Sequence, residues 1–114
     1  MKLIVAIIPP ERLEAVKNQL AAVEVHRLTV ADIQGFGTSQ PNVEGKGREV
    51  TMNLTRRVQL MIGVNEEFLE PTIQAIRGGV CGESDPAMGD GKIFVLPLHD
   101  CIRIRTGERG GEAI

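Results

Sequence analysis

The sequence predicts an α+β fold in which two strand–helix–strand units build one four-stranded antiparallel sheet. Three observations carry this. Apolar residues alternate in some stretches and recur at helical spacing in others. The elements follow the order strand, helix, strand, then strand, helix, strand. The length, 114 residues, fits a single domain spanning 1–114.

Lys2 to Ile8 reads as a strand apolar on both faces, since Leu3, Val5 and Ile7 alternate with Ile4, Ala6 and Ile8. This run ends at Pro9-Pro10 with no small-residue cleavage site, so it reads as a buried strand and not a leader. Pro10 suits a first helical turn, and Leu13, Val16, Leu20 and Val23 follow at helical spacing. A second strand is expected from about Val25 to Gln34, broken by Gly35-Phe36-Gly37. A polar stretch from Thr38 to about Glu49 leads into a strand near Val50 to Val64. Asn65 is placed to cap a second helix, with Glu66 and Glu67 near its positive end. Leu69, Ile73 and Ile76 give its apolar stripe, and Pro71 marks either its start or a kink. Gly78-Gly79 is expected to end the helix and open a glycine-rich loop that runs to Gly91. Lys92 to Leu98 is the last main strand, and Cys101 to Arg105 a short extended piece. The tail, residues 107–114, has three glycines and little reason to pack.

This arrangement is ferredoxin-like. Two helices cover one face of such a sheet, yet the first strand and Ile93-Phe94-Val95-Leu96 are apolar throughout. An uncovered apolar face marks an interface, so several subunits are expected to pack their sheets together with closed symmetry.

Composition narrows the function. The formal charge is −2, there is no Trp or Tyr, and there are three Phe. That leaves neither the basic field nor the stacking platforms of a general nucleic-acid binder. Cys81 and Cys101 form no CxxC, which favours a reducing, cytoplasmic setting. No apolar stretch approaches membrane-spanning length, so contact with a membrane is expected only through a partner protein.

Three segments carry candidate chemistry. Gly89-Asp90-Gly91-Lys92 offers backbone amides and an ammonium to an anion, although an isolated GDGK is by itself more often a turn. Arg103 and Arg105, two apart in an extended chain, share a face and suit phosphates; the competing reading is a charged edge strand. Thr38 to Glu49 is too polar for the core and reads as an arm that meets a partner.

Together these residues resemble the PII signal-transduction family over nearly the whole chain. The most specific part is Gly89-Asp90-Gly91-Lys92-Ile93-Phe94-Val95 followed by Ile102-Arg103-Ile104-Arg105-Thr106-Gly107-Glu108, with Leu28-Thr29-Val30 and Gly35-Phe36-Gly37 in support. The resemblance implies a homotrimer with ATP or ADP in each cleft between neighbours. Gly89, Asp90, Gly91, Lys92, Arg103 and Arg105 would hold phosphates. Thr29, Gly35, Gly37 and Thr38 would help place the nucleotide. Residues 38–56, with Glu44, Lys46, Arg48 and Glu49, would form the partner-binding loop toward a transporter or a nitrogen-metabolism enzyme, and 78–91 the nucleotide loop.

The chain departs from that family's pattern inside the loop. Thr38 and Ser39 stand where an Arg-Gln pair is common, with Gln40 one place later. Losing the arginine removes a charge-assisted contact of about 1.5–3 kcal/mol. Gln40 and Arg57 remain as the candidate contacts to 2-oxoglutarate, and Pro41 restricts Gln40. Weakened dependence on Mg²⁺ and 2-oxoglutarate is therefore expected. The tyrosine that many members carry for uridylylation is missing, with Val50 near its place.

No catalytic constellation emerges. His99, Asp100 and Cys101 are consecutive and cannot converge in an extended chain. His26 reads as a surface residue, and Asn53-Leu54-Thr55 as a chance glycosylation match. Two alternatives stand beside the regulator reading. One is a trimeric metal-binding protein using the Cys81–Asp85 stretch. The other is a slow ATP hydrolase using Asp90.

Overall fold

The computed structural model describes residues 1–38, 52–82 and 91–114. Gln40, Glu44, Lys46, Arg48, Glu49, Gly89 and Asp90 lie outside the described residues.

Among the described residues the elements run β1 (Lys2–Ile8), a 3-10 turn (Pro10–Arg12), α1 (Leu13–Ala22), β2 (Thr29–Thr38), β3 (Met52–Val64), α2 (Glu66–Cys81), β4 (Lys92–Pro97) and a 3-10 turn at Gly110–Ala113. The strands form one antiparallel sheet in the order β2-β3-β1-β4, as the strand–helix–strand pattern predicts. β1 is a central strand, paired along both edges, to β3 and to β4.

Its alternate residues meet different surroundings. Ile4, Ala6 and Ile8 are fully buried with Leu60, Ile62, Val16, Leu20 and Ile76 under the two helices. Leu3, Val5 and Ile7 lie on the opposite face, where Leu3 pairs with Leu96 and Val5 with both Met61 and Phe94. Among the described residues no helix covers that face of the sheet: Phe94 is 49% exposed and Leu96 42%. The open apolar face expected from the sequence is thus present in the protomer.

Several local expectations are corrected. β2 begins at Thr29, after an irregular stretch that follows Glu24 at φ 64°, and it is not broken at Gly35-Phe36-Gly37. Those residues pair with Thr55, Leu54 and Asn53 of β3, so the ladder satisfies their backbone groups. Gly78-Gly79 does not end α2, which continues to Cys81 and stops at Gly82 in a positive-φ conformation. Gly79 is instead the point of closest helix contact: a Cβ there would lie 2.6 Å from the Val16 Cα. The stretch 78–81 is therefore helix and not loop.

Asn65 occupies the N-cap position of α2 but its side chain makes no cap bond; its Nδ2 donates to the Gly111 carbonyl at 3.1 Å. That bond is one reason the tail packs, contrary to expectation, with Ala113 buried. α2 passes through Pro71 with no break and starts before it. Finally, Cys101–Arg105 is not a strand. Ile102 bridges to Arg109, and the Gly107 N–H donates to the Arg103 carbonyl at 2.8 Å, so Arg105 sits in the turn of a short hairpin.

Candidate functional site

The sheet carries the candidate binding residues to two opposite ends. At one end β4 begins. Gly91 has φ 141°, and a Cβ on it would fall 2.3 Å from the Ile7 carbonyl oxygen. Only glycine fits there, because its backbone lies directly against the end of β1. Lys92 follows, paired with Ile7, and its ammonium has no hydrogen bond or ion pair among the described residues.

Ile7 also pairs with Gln59, two residues from Arg57 on the same face. Strands are spaced by about 4.8 Å, which puts Arg57 within two strands of Lys92. Arg57 donates to its neighbour's carbonyl, Arg56 O, at 2.9 Å. A cavity of about 470 Å³ opens beside Gly91 and Lys92, walled by Ile7, Ile73 and Ile93 and flanked by Arg77 and Cys81. Its chemistry is an apolar floor with two cations at the rim. Gly35 and Gly37 also belong to this end, on the β2–β3 ladder beyond Arg57. Thr38 closes the described part of that ladder, opposite Met52.

The other end is where β4 finishes. The Leu98 N–H donates to the Met1 carbonyl at 3.2 Å, and the Leu98 side chain lies over Gly63, 3.7 Å from where a Cβ would stand. The hairpin with Arg103 and Arg105 follows. Arg103 Nη1 is 3.7 Å from Glu108 Oε1, and its Nη2 donates to the Glu112 carbonyl at 3.4 Å. Arg105 has no hydrogen bond or ion pair among the described residues. Thr29 opens β2 opposite Met61, two positions from Gly63 on the same face, and so belongs to this end. A cavity of about 230 Å³ lies here between Val25, Arg27, Gly63, Asn65, Phe68 and Ile114.

One protomer therefore does not bring its candidate residues together. Lys92 and Pro97 bracket β4, a separation of roughly 17 Å at the rise of a strand, and the Arg103 hairpin lies beyond Pro97. Within one chain the Gly91–Lys92 backbone and the Arg103 hairpin therefore stand at opposite ends of β4.

The sequence did not single out Asp100 as part of this region. Its Oδ2 accepts from Arg109 Nε at 2.9 Å and Nη2 at 2.6 Å, and its Oδ1 accepts from the Cys101 and Gly110 N–H groups at 2.9 and 3.1 Å. The Arg109 hydrogen bonds first, and the Cys101 N–H next, hold the Asp100 carboxyl below its ordinary value; slight desolvation opposes them. Arg77 and Gly63 were likewise unmarked in the sequence, because no local pattern tied them to the candidate loops; Glu108 was marked only as the end of the Ile102–Glu108 motif, with no partner named for it.

Among the described residues no group of three or more His, Cys, Asp or Glu could hold a metal, and no helix is long and apolar enough to cross a membrane. Cys81 and Cys101 are free thiols.

The four-stranded antiparallel sheet with its two strand–helix–strand units defines the ferredoxin-like class, and comparison narrows it. The family model for nitrogen regulatory protein P-II matches residues 1–108. Nitrogen regulatory protein GlnK1 of Methanosarcina mazei is 51% identical over 115 aligned positions, covering all of this chain and 97% of that one. Nitrogen regulatory protein P-II of Azospirillum brasilense is 37% identical, with both chains fully covered. The crystal structure of Arabidopsis thaliana PII bound to citrate superposes with a TM-score of 0.76 at 33% identity, covering 98% of this chain and 87% of that one. The chain belongs to the P-II family of nitrogen regulatory proteins.

Proposed function

We propose that this chain is a signal-transduction regulator that binds ATP or ADP between the protomers of a homotrimer. In this reading the bound nucleotide sets the state of residues 38–56, and that segment controls a transporter or a nitrogen-metabolism enzyme. The observation that carries it is the placement of Lys92 and the Arg103–Arg105 hairpin at opposite ends of one sheet. Each is a half-site for a polyphosphate: a glycine backbone with an ammonium at one end, planar guanidiniums at the other. The open face of Leu3, Val5, Met61, Phe94 and Leu96 gives the copies a reason to associate.

The residues fit such a ligand. The ammonium of Lys92 and the guanidinium of Arg105 are exposed and have no internal partner among the described residues. Gly91 leaves no side chain between the ligand and the end of β1. Arg57 keeps a cation where a 2-oxoglutarate carboxylate would bind, together with Gln40, but Thr38 and Ser39 offer no charge to the phosphates. Binding is therefore less dependent on Mg²⁺ and 2-oxoglutarate than in relatives with Arg-Gln at this point. Uridylylation on tyrosine is excluded in this sequence because it contains no tyrosine.

The reading assigns regulation and no catalysis, in line with the regulatory names of the relatives. Titration calorimetry with ADP and ATP, each with and without Mg²⁺ and 2-oxoglutarate, tests it alongside light scattering. The expected result is a trimer that binds both nucleotides with little synergy. A monomer indifferent to adenylates overturns the whole reading, and strong MgATP–2-oxoglutarate synergy overturns the part about Thr38 and Ser39.

A further inference from the structure

We propose that Asp100 is a positioning residue for nucleotide binding: its carboxylate clamps both legs of the hairpin that presents Arg103 and Arg105. The inference rests on the nucleotide reading above and adds to it a residue outside the glycine, lysine and arginine set.

Ile102 and Arg109 form an isolated bridge that belongs to none of the four strands of the sheet. Besides that bridge, the backbone bonds closing the hairpin among the described residues are Gly110 N–H to Cys101 O, Arg103 N–H to Glu108 O and Gly107 N–H to Arg103 O, at 2.8–2.9 Å. At its tip Thr106 Oγ1 donates to Glu108 Oε1 and accepts from the Glu108 N–H, and Arg103 lies 3.7 Å from Glu108, all exposed contacts. Two-stranded pieces of this size are marginal in water. Ordering each residue costs about 1–2 kcal/mol of backbone entropy, so a local device has to hold the turn.

Asp100 is that device. One oxygen takes the N–H of Cys101, on the ascending leg, and of Gly110, on the descending leg. The other takes two donors of Arg109, opposite Ile102. A single carboxylate thus ties together residues nine and ten positions apart with four charge-assisted bonds.

The charges explain why this bears on the ligand. Between residues 100 and 109 stand three arginines and two carboxylates. Asp100 neutralises Arg109, and Glu108 lies beside Arg103, which leaves Arg105 as the outward cation. Without Asp100, Arg109 becomes a rival for Glu108 and for the phosphates, and the spacing of Arg103 and Arg105 is no longer set. A planar fork binds a phosphate well only when it is held in place beforehand. Adenosine, lacking phosphates, does not use the hairpin's cations.

The experiment compares the full-length wild type with Asp100→Ala, Asp100→Asn and Lys92→Ala. Affinities for adenosine, ADP and ATP are measured by competition calorimetry, and amide exchange is followed at Arg103, Gly107 and Gly110. Asp100→Ala is expected to lose roughly tenfold in ATP affinity, with adenosine unchanged and the three amides exchanging faster. Asp100→Asn, which keeps an oxygen for the two backbone amides and loses the negative charge that pairs with Arg109, falls between. Lys92→Ala is expected to lose ATP affinity while the hairpin amides stay protected.

Faster exchange with wild-type ATP affinity reduces Asp100 to a structural residue and overturns the inference. Unchanged exchange overturns it as well, because the clamp is then not Asp100. A wild type that binds no adenylate overturns the nucleotide reading itself, an outcome distinct from a wild type that binds and a variant that binds equally.

Discussion

The two ends of the sheet solve the same chemical problem in opposite ways. The Lys92 end relies on backbone shape: Gly91 at φ 141° is pressed against the Ile7 carbonyl, and the lysine is left without an internal partner among the described residues. The Arg103 end relies on side-chain pairing: Asp100, Arg109 and Glu108 build a hairpin from local charges. The first is fixed by sterics that no salt concentration weakens. The second is fixed by ion pairs that salt and acid weaken. The two ends therefore fail under different perturbations, which makes them separable by experiment.

Gly91→Ala is the harshest way to break the first end. It forces a Cβ into a positive-φ position 2.3 Å from Ile7 O. We expect a cost of about 1–3 kcal/mol in folding stability, seen by urea titration, together with complete loss of ADP binding.

Lys92→Gln and Arg105→Gln strike the two ends separately, each removing a charge-assisted contact of about 1.5–3 kcal/mol, or roughly 10- to 150-fold in affinity. The sharper version mixes them. If the halves come from different protomers, refolding the two variants together restores some intact clefts, each pairing the Lys92 of one chain with the Arg105 of its neighbour. Calorimetry of the mixture should recover high-affinity sites that neither variant has alone. No recovery would mean that both groups act within one chain, against the geometry of β4.

Acid should loosen the Asp100 clamp at the hairpin end. The folded Asp100 carboxyl lies below its ordinary value of 3.8, so the opened chain takes up protons more readily and stability rises with pH. The advantage over Asp100→Asn is full above about pH 5, where the unfolded carboxyl is also ionised, and is lost as the pH falls through the lowered folded value. Thermal unfolding of the two proteins between pH 7 and pH 2 should therefore converge only at the acid end. A gap that widens toward low pH would refute the clamp's charge.

Much of the fold was legible because alternation and helical spacing report burial directly. β1 with its two apolar faces, the stripe of α1 and the order of elements all follow from that. The failures concern glycine and short polar residues, whose local preferences are weak. Gly35 and Gly37 read as a break but pair with Thr55 and Asn53, since a ladder partner outweighs low strand propensity. Gly79 read as a helix stop but is needed for the approach of Val16. Asn65 read as a cap but is drawn to the Gly111 carbonyl, a partner that sequence proximity could not suggest.

The candidate site was legible only as two lists of residues. Arg103 and Arg105 were paired on the premise of an extended chain, whereas Arg105 sits in a turn closed by the Gly107 N–H to Arg103 O bond, which has no signature in an Ile-Arg-Ile-Arg run. Asp100 was weighed only as part of a triad. Its role appears once Arg109 folds back beside it, and nothing in the spacing announces that.

The unbroken β2–β3 ladder has a mechanical consequence. Thr38 and Met52 are cross-strand partners, so residues 39–51 leave and return at points about 5 Å apart. Thr38, Met52, Gly35 and Thr55 stand on one antiparallel ribbon, so a shift of Gly35 against Thr55 is passed along the same ladder to the points where the chain leaves β2 and enters β3.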